Sequence, residues 1–163
     1  MPEGVALEAL SFGQAHAIRL HEQGWLEHTN WSTTMATHIL VIDDYEYLLY
    51  LLRSILEEEH YRVSVINRGE GAHELIQENL PDLIILDLKL RDASGLDILE
   101  SLRSHEETAE IPVLVYTAAI LEGESVRQLI ASNPERYRNV SILRKPFDVD
   151  VLLRRVKTMV ATA

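Results

Sequence analysis

Five short, uninterrupted apolar runs recur along the chain, and each is followed by a stretch with helical spacing. The first is His38-Ile39-Leu40-Val41-Ile42, ended by Asp43-Asp44. Residues 45–59 then place Leu48, Leu51, Leu52, Ile55 and Leu56 at helical intervals. Tyr61 to Ile66 reads as a second strand, broken by Arg68-Gly69, and residues 70–79 as a helix closed by Pro81. Leu83-Ile84-Ile85-Leu86 ends in Asp87, and Gly95 opens a helix with Leu96, Ile98, Leu99 and Leu102 on one face. Val113 to Tyr116 ends in Thr117, and residues 122–132 follow as a helix. Val140 to Leu143 is the fifth strand, and Phe147 to Val160 the last helix. Continuous apolar strands, unlike alternating ones, are buried on both faces. The expectation is an α/β fold: a doubly wound five-stranded parallel sheet with helices on both faces, joined by right-handed crossovers.

In such sheets function gathers at the carboxyl ends of the strands. The polar residues that end the runs here are Asp43, Asp44, Asp87, Thr117 and Lys145. Three carboxylates on one rim repel one another unless a cation sits among them. Hard oxygen ligands without Cys or His suit Mg²⁺, with Mn²⁺ as a second choice. Lys145 adds a compact positive charge for a carboxylate or a phosphoryl oxygen. The Thr117 hydroxyl can donate to the same oxygen. An ionised Asp is a competent nucleophile toward phosphorus, so the set fits phosphoryl transfer to Asp87. Each residue alone has a plainer explanation. An Asp-Asp pair or a Thr after a strand commonly caps a helix or shapes a turn, and Lys145-Pro146 alone would be a turn. Their joint placement at the ends of four different runs carries the case.

Composition narrows the alternatives. There is no cysteine, which excludes a disulfide framework, a thiol nucleophile and a thiolate metal site, and fits a reducing cytoplasm. The net charge of -11 gives no footprint for a phosphate backbone, so direct nucleic-acid binding is not expected. No apolar run approaches the roughly 20 residues that span a bilayer. Residues 1–34 read differently from the rest, with Trp25, Trp31, His16, His21 and His28 and only a weak helical pattern. Met35 stands immediately before the first strand. The segment is either a leader upstream of the natural start or an N-terminal helix that docks on something. Residues 35–163 form the second unit.

With these residues in place, the sequence resembles the receiver domain of two-component response regulators. The matching motifs are Ile39-Leu40-Val41-Ile42-Asp43-Asp44, then Leu86-Asp87-Leu88-Lys89-Leu90 with Gly95 eight residues past Asp87, then Val115-Tyr116-Thr117-Ala118, then Lys145-Pro146-Phe147. The resemblance covers about residues 37–161. It implies a flavodoxin-like strand order 2-1-3-4-5, with Asp87 as phosphoacceptor and Asp43, Asp44, Asp87 and the Lys89 carbonyl around the metal. Thr117 becomes the switch hydroxyl, Lys145 the phosphoryl-binding lysine, and the Lys145–Pro146 peptide cis. The implied partners are a histidine kinase or histidine phosphotransfer protein and a downstream protein effector, with homodimerisation left open.

Two positions depart from the family pattern. Arg91 stands where proline is common, and Ile142 where the family's mobile aromatic ring usually lies. A β-branched Ile should stay packed. The switch is therefore expected in Ala118-Ala119 and the lengthened 120–139 segment, with Tyr116 or Tyr137 adjusting. The charge run Glu135-Arg136-Tyr137-Arg138 reads as a solvated loop or a partner surface. No output domain follows the last helix, which suits a stand-alone receiver or a fragment of a longer regulator. Competing expectations are a phosphorylation-independent interaction module and a Mg²⁺-dependent phosphohydrolase. Lys89 stands where the latter would need an acid.

Overall fold

The computed structural model describes residues 36–162. The leader 1–34 lies outside them. The order is β1 (His38–Ile42), α1 (Glu46–Glu58), β2 (Arg62–Ile66), α2 (Ala72–Asn79), β3 (Leu83–Leu86), α3 (Gly95–Ser104), β4 (Val113–Thr117), α4 (Ile120–Ser132), β5 (Val140–Arg144) and α5 (Val149–Ala161). All five strands pair in parallel, in the order β2-β1-β3-β4-β5. The expected doubly wound, flavodoxin-like sheet is therefore present. Among the described residues, no helix is long and apolar enough to cross a membrane.

Burial explains why the apolar runs are continuous. Every residue of the central strands β1, β3 and β4 is buried, whereas the edge strands β2 and β5 are only partly covered. Side chains alternate across the sheet. Leu40, Ile42, Ile84, Leu86, Val113 and Val115 face one core, shared with Ile76, Leu99, Leu102 and Val126 of α2, α3 and α4. Ile39, Val41, Leu83, Ile85, Leu114 and Tyr116 face the other, with Leu49, Leu52 and Leu56 of α1 and Leu152 and Val156 of α5.

Some element edges differ from the sequence expectation. α2 begins at Ala72, not at residue 70, because Gly71 sits in the left-handed region (φ 76°). α4 begins two residues earlier than expected, at Ile120. On α1 the buried stripe is Leu49, Leu52 and Leu56, and Leu51 is exposed. The run Leu48-Leu49-Tyr50-Leu51-Leu52 offers two overlapping stripes at helical spacing. Packing of α1 on β1 selects the one that contains Leu49.

The charge run before β5 is neither wholly solvated nor wholly a free surface. Tyr137 is buried in the core beneath α3 and α4, while Glu135, Arg136 and Arg138 are exposed. Arg136 donates to the Ser104 hydroxyl, and Arg138 pairs with Glu110 on the neighbouring connection. Burial dominates this segment. Tyr137→Ala should cost about 3 kcal/mol, the usual range for emptying an aromatic core position. Arg138→Ala should cost about 0.5 kcal/mol or less, since exposed ion pairs contribute little. Urea denaturation of the two variants measures the contrast, and equal losses would contradict it.

Candidate functional site

Strand alternation decides which strand-end side chains meet. Asp43 continues the parity of Ile39 and Val41, Asp87 that of Leu83 and Ile85, and Lys145 that of Leu143, on the α1/α5 side. Tyr116 shares that side. The four side chains form one network at the carboxyl edge of the sheet. Lys145 Nζ donates to Asp43 Oδ2 at 2.7 Å and to Asp87 Oδ2 at 2.7 Å. The Tyr116 hydroxyl donates to the same Asp43 Oδ2 at 2.6 Å. The Lys145 ammonium also lies 4.1 Å from the centre of the Tyr116 ring, a cation–π contact. The Lys145–Pro146 peptide is cis, as the resemblance implied.

The backbone around the acids is tied down as well. Asp43 Oδ1 accepts the Tyr45 amide at 2.7 Å, which turns the chain into α1. Asp87 Oδ1 accepts the Lys89 amide at 3.2 Å, and Lys89 bridges to Ser94. Gly95 donates its amide to the Leu88 carbonyl at 2.9 Å. A Cβ at Gly95 would land on the Asp87 carbonyl oxygen and on Leu88 Cα. The Ser94 hydroxyl caps α3 by accepting the Asp97 amide. Asp92 accepts the amides of Gly69 and Glu70, joining the loop after β2 to the loop after β3.

Asp44 and Thr117 stand apart from the lysine network. Asp44 pairs with Arg91, Nε to Oδ2 at 3.2 Å. Arg91 is thus a local counter-ion at the position where the family often has proline. Thr117 has the opposite parity, on the side of Val113 and Val115. Its Oγ1 accepts the Ala119 amide at 3.0 Å, which leaves its proton free to be donated. Thr117, Asp87 and Lys89 nevertheless line one open cleft of about 550 Å³, walled by Ala118 to Glu122.

Electrostatics separate the two acids that share Lys145. Burial pushes the Asp43 carboxyl up. The hydrogen bonds from Lys145, Tyr116 and Tyr45 outweigh it and hold the group below its ordinary value. Burial also pushes Asp87 up, and there it wins: Lys145 and the Lys89 amide oppose it, but the charge of Asp43 adds to it. The extra donors on Asp43 account for the opposite directions. Tyr116 is pushed far up, by burial first and by Asp43 second, so its hydroxyl stays a donor.

The donor set suits a hard cation. Among the described residues, no three His, Cys, Asp or Glu side chains close into a preformed metal cage. The oxygens of Asp44, Asp87 and Asp43 and the Lys89 carbonyl could hold an ion such as Mg²⁺, with water completing its shell.

Tyr116 joins the network through its hydroxyl and its ring, a part that the strand-end polar residues alone do not reveal. The usable signal was parity: an aromatic next to Thr117, on the same side as both acids. Tyr116→Phe keeps the ring and removes the hydroxyl. It should cost about 1.5 kcal/mol, as for a buried hydrogen bond to a charged group. Urea unfolding checks this, and an unchanged midpoint would show that the bond adds nothing.

Known proteins resemble this chain in sequence and in fold. The family described as response regulator receiver domain matches residues 39–157. The phosphate regulon transcriptional regulatory protein PhoB of Rhizobium meliloti (strain 1021) is 40% identical over 129 residues, 79% of this chain and 54% of its own length. The polar-differentiation response regulator DivK of Brucella ovis is 29% identical over 129 residues, 79% of this chain and 100% of its own. The chain spans about half the length of PhoB and of the transcriptional regulatory protein KdpE of Staphylococcus aureus. The signal receiver domain of a signal transduction histidine kinase from Syntrophus aciditrophicus superposes with a TM-score of 0.67 at 26% identity, over 78% of this chain and 92% of its own. The receiver domain of the sensor histidine kinase PA1611 from Pseudomonas aeruginosa PAO1 has a magnesium ion coordinated in its active-site cleft. It superposes with a TM-score of 0.65 at 24% identity, over 77% of this chain and 98% of its own. The chain belongs to the response regulator receiver domain family of two-component signalling.

Proposed function

We propose that this receiver domain is a phosphoacceptor. It would take a phosphoryl group on Asp87 from a histidine kinase or histidine phosphotransfer protein in a Mg²⁺-dependent reaction in the cytoplasm. The observation that supports this best is Lys145, held between Asp43 and Asp87 at 2.7 Å from each. A carboxylate of Asp87 attacks phosphorus, an O–P bond forms, and the bond to the donor's nitrogen breaks with its electron pair returning to the imidazole. Lys145 can keep Asp43 while it turns to a phosphoryl oxygen, and Thr117 can donate its hydroxyl proton to another. Tyr116 keeps Asp43 in place meanwhile. Asp44, Asp87, Asp43 and the Lys89 carbonyl would hold Mg²⁺, which supplies charge neutralisation at the phosphoryl oxygens. The domain is not a conventional enzyme, since its own side chain carries the product.

The signal would leave by protein–protein contact. Ile142 is half-buried against the core, in keeping with an apolar residue that does not swing. Tyr116 and Tyr137 are both buried, so any adjustment of either ring would take place within the core. Movement of Thr117 would pull on Ala118 and Ala119 and on the exposed Ile120 and Leu121 that open α4. Incubation with Mg²⁺ and acetyl phosphate, followed by intact mass, tests the proposal. The wild type should gain one phosphoryl group, and EDTA or Asp44→Ala should abolish the gain. A wild type that never gains phosphate under these conditions would favour the phosphorylation-independent module.

A further inference from the structure

We infer that His73 and His105 form a transition-metal site between α2 and α3, separate from the acidic cleft. His73 lies in the first turn of α2, and His105 closes the carboxyl end of α3. Their ring centres are 4.4 Å apart and their planes are tilted by 52°. Both rings are anchored through Nδ1 to one residue. His73 Nδ1 lies 3.3 Å from the Ser101 hydroxyl, and the Ser101 carbonyl accepts from His105 Nδ1 at 2.8 Å.

For His105 that anchoring is what a ligating histidine needs, and for His73 it is so when Nδ1 donates to the Ser101 hydroxyl. A carbonyl can only accept, so His105 carries its proton on Nδ1 and its lone pair on Nε2. Metal-binding histidines characteristically donate the other ring N–H to a carbonyl or similar group, which sets the tautomer and aims the lone pair. Because both Nδ1 atoms turn toward Ser101, both Nε2 atoms lie on the far sides of their rings. Two imidazoles that bind one ion at adjacent positions, with metal–nitrogen bonds of about 2.1 Å, would have ring centres about 4.6 Å apart at a right angle and about 5.3 Å apart at the tetrahedral angle. The observed 4.4 Å is just below that range, so the rings need to part by a few tenths of an ångström for a right-angled pair and by about 1 Å for a tetrahedral one. Imidazole pairs favour ions of the nickel-to-zinc end of the first transition row over Mg²⁺. Among the described residues no third His, Cys, Asp or Glu joins the pair. Water would fill the remaining positions. Neither histidine lines the cleft at Asp87.

The test is a titration of the full chain with Zn²⁺ in excess Mg²⁺, which keeps the acidic site occupied. By calorimetry the wild type should bind one more equivalent of Zn²⁺ than His73→Gln or His105→Gln. This difference is independent of any ion taken by the leader histidines. Zn²⁺ should raise the thermal midpoint of the wild type and lose that effect in both variants, because an ion bound only by the folded state stabilises it. Ser101→Ala should weaken the site about tenfold. Cu²⁺ should broaden amide signals near residues 73, 101 and 105 in the wild type, and that broadening should be lost in His73→Gln. Equal stoichiometry and equal midpoint shifts in wild type and variants, or the same broadening at these residues in wild type and variant, would overturn the site.

Discussion

Asp87→Asn should gain no phosphate with Mg²⁺ and acetyl phosphate, under conditions that label the wild type with one group. Asn is nearly isosteric with Asp, so the β3 end and its packing should survive. Its amide oxygen can still accept Lys145, which also keeps Asp43. What the amide lacks is an anionic oxygen able to form the O–P bond. The fold should not suffer. Burial raises the Asp87 carboxyl above its ordinary value, so its ionised form is a cost to the folded state at neutral pH. A neutral amide removes that cost. The expected thermal midpoint, without metal, is therefore no lower than the wild type's. Equal labelling of Asp87→Asn and wild type would move the phosphoacceptor elsewhere and sink the assignment.

Gly95→Ala should be the most disruptive small substitution near the site. Gly95 is in ordinary helical backbone as the first residue of α3, so its need for glycine is not conformational. The need is space. An added methyl would overlap the Asp87 carbonyl oxygen and Leu88 Cα, and both are backbone atoms that cannot swing away. Relief requires α3 to back off from β3, or the Asp87–Lys89 turn to shift. Either would break the Gly95-to-Leu88 bond and the Lys89–Ser94 bridge. Overpacking of this kind costs about 3 kcal/mol. Because the displaced atoms carry Asp87 itself, phosphorylation should slow by at least about tenfold, the effect of misplacing a reacting group. Urea unfolding and intact mass read the two effects separately. A variant within about 0.5 kcal/mol of wild type would mean that the turn has slack.

The rest of the site illustrates where local pattern stops. The run of strands was legible because β1, β3 and β4 are buried on both faces, and burial on both faces writes itself as an unbroken apolar run. The strand-end acids, Thr117 and Lys145 were legible for the same reason, since each interrupts such a run. The offset of the α1 stripe was not legible. Leu49 and Leu51 are equally apolar, and only contact with β1 separates them. Tyr137 was hidden because its neighbours are charged, and a composition-based reading averages over a residue that the core singles out.

The sequence by itself determined the sheet, its parallel sense and the identity of the rim residues. These follow from hydrophobicity and spacing within single segments. Tertiary structure alone decided who touches whom across that rim. Lys145 joins Asp43 to Asp87, Tyr116 holds Asp43, Arg91 takes Asp44, and Thr117 turns to the Ala119 amide. His73 meets His105 through Ser101 in the same way. Such contacts depend on strand parity, helix rotation and side-chain reach acting together between segments far apart in the chain. No single stretch of residues contains that information, because hydrogen bonds and charge pairs are fixed by distances that exist only once the sheet has closed.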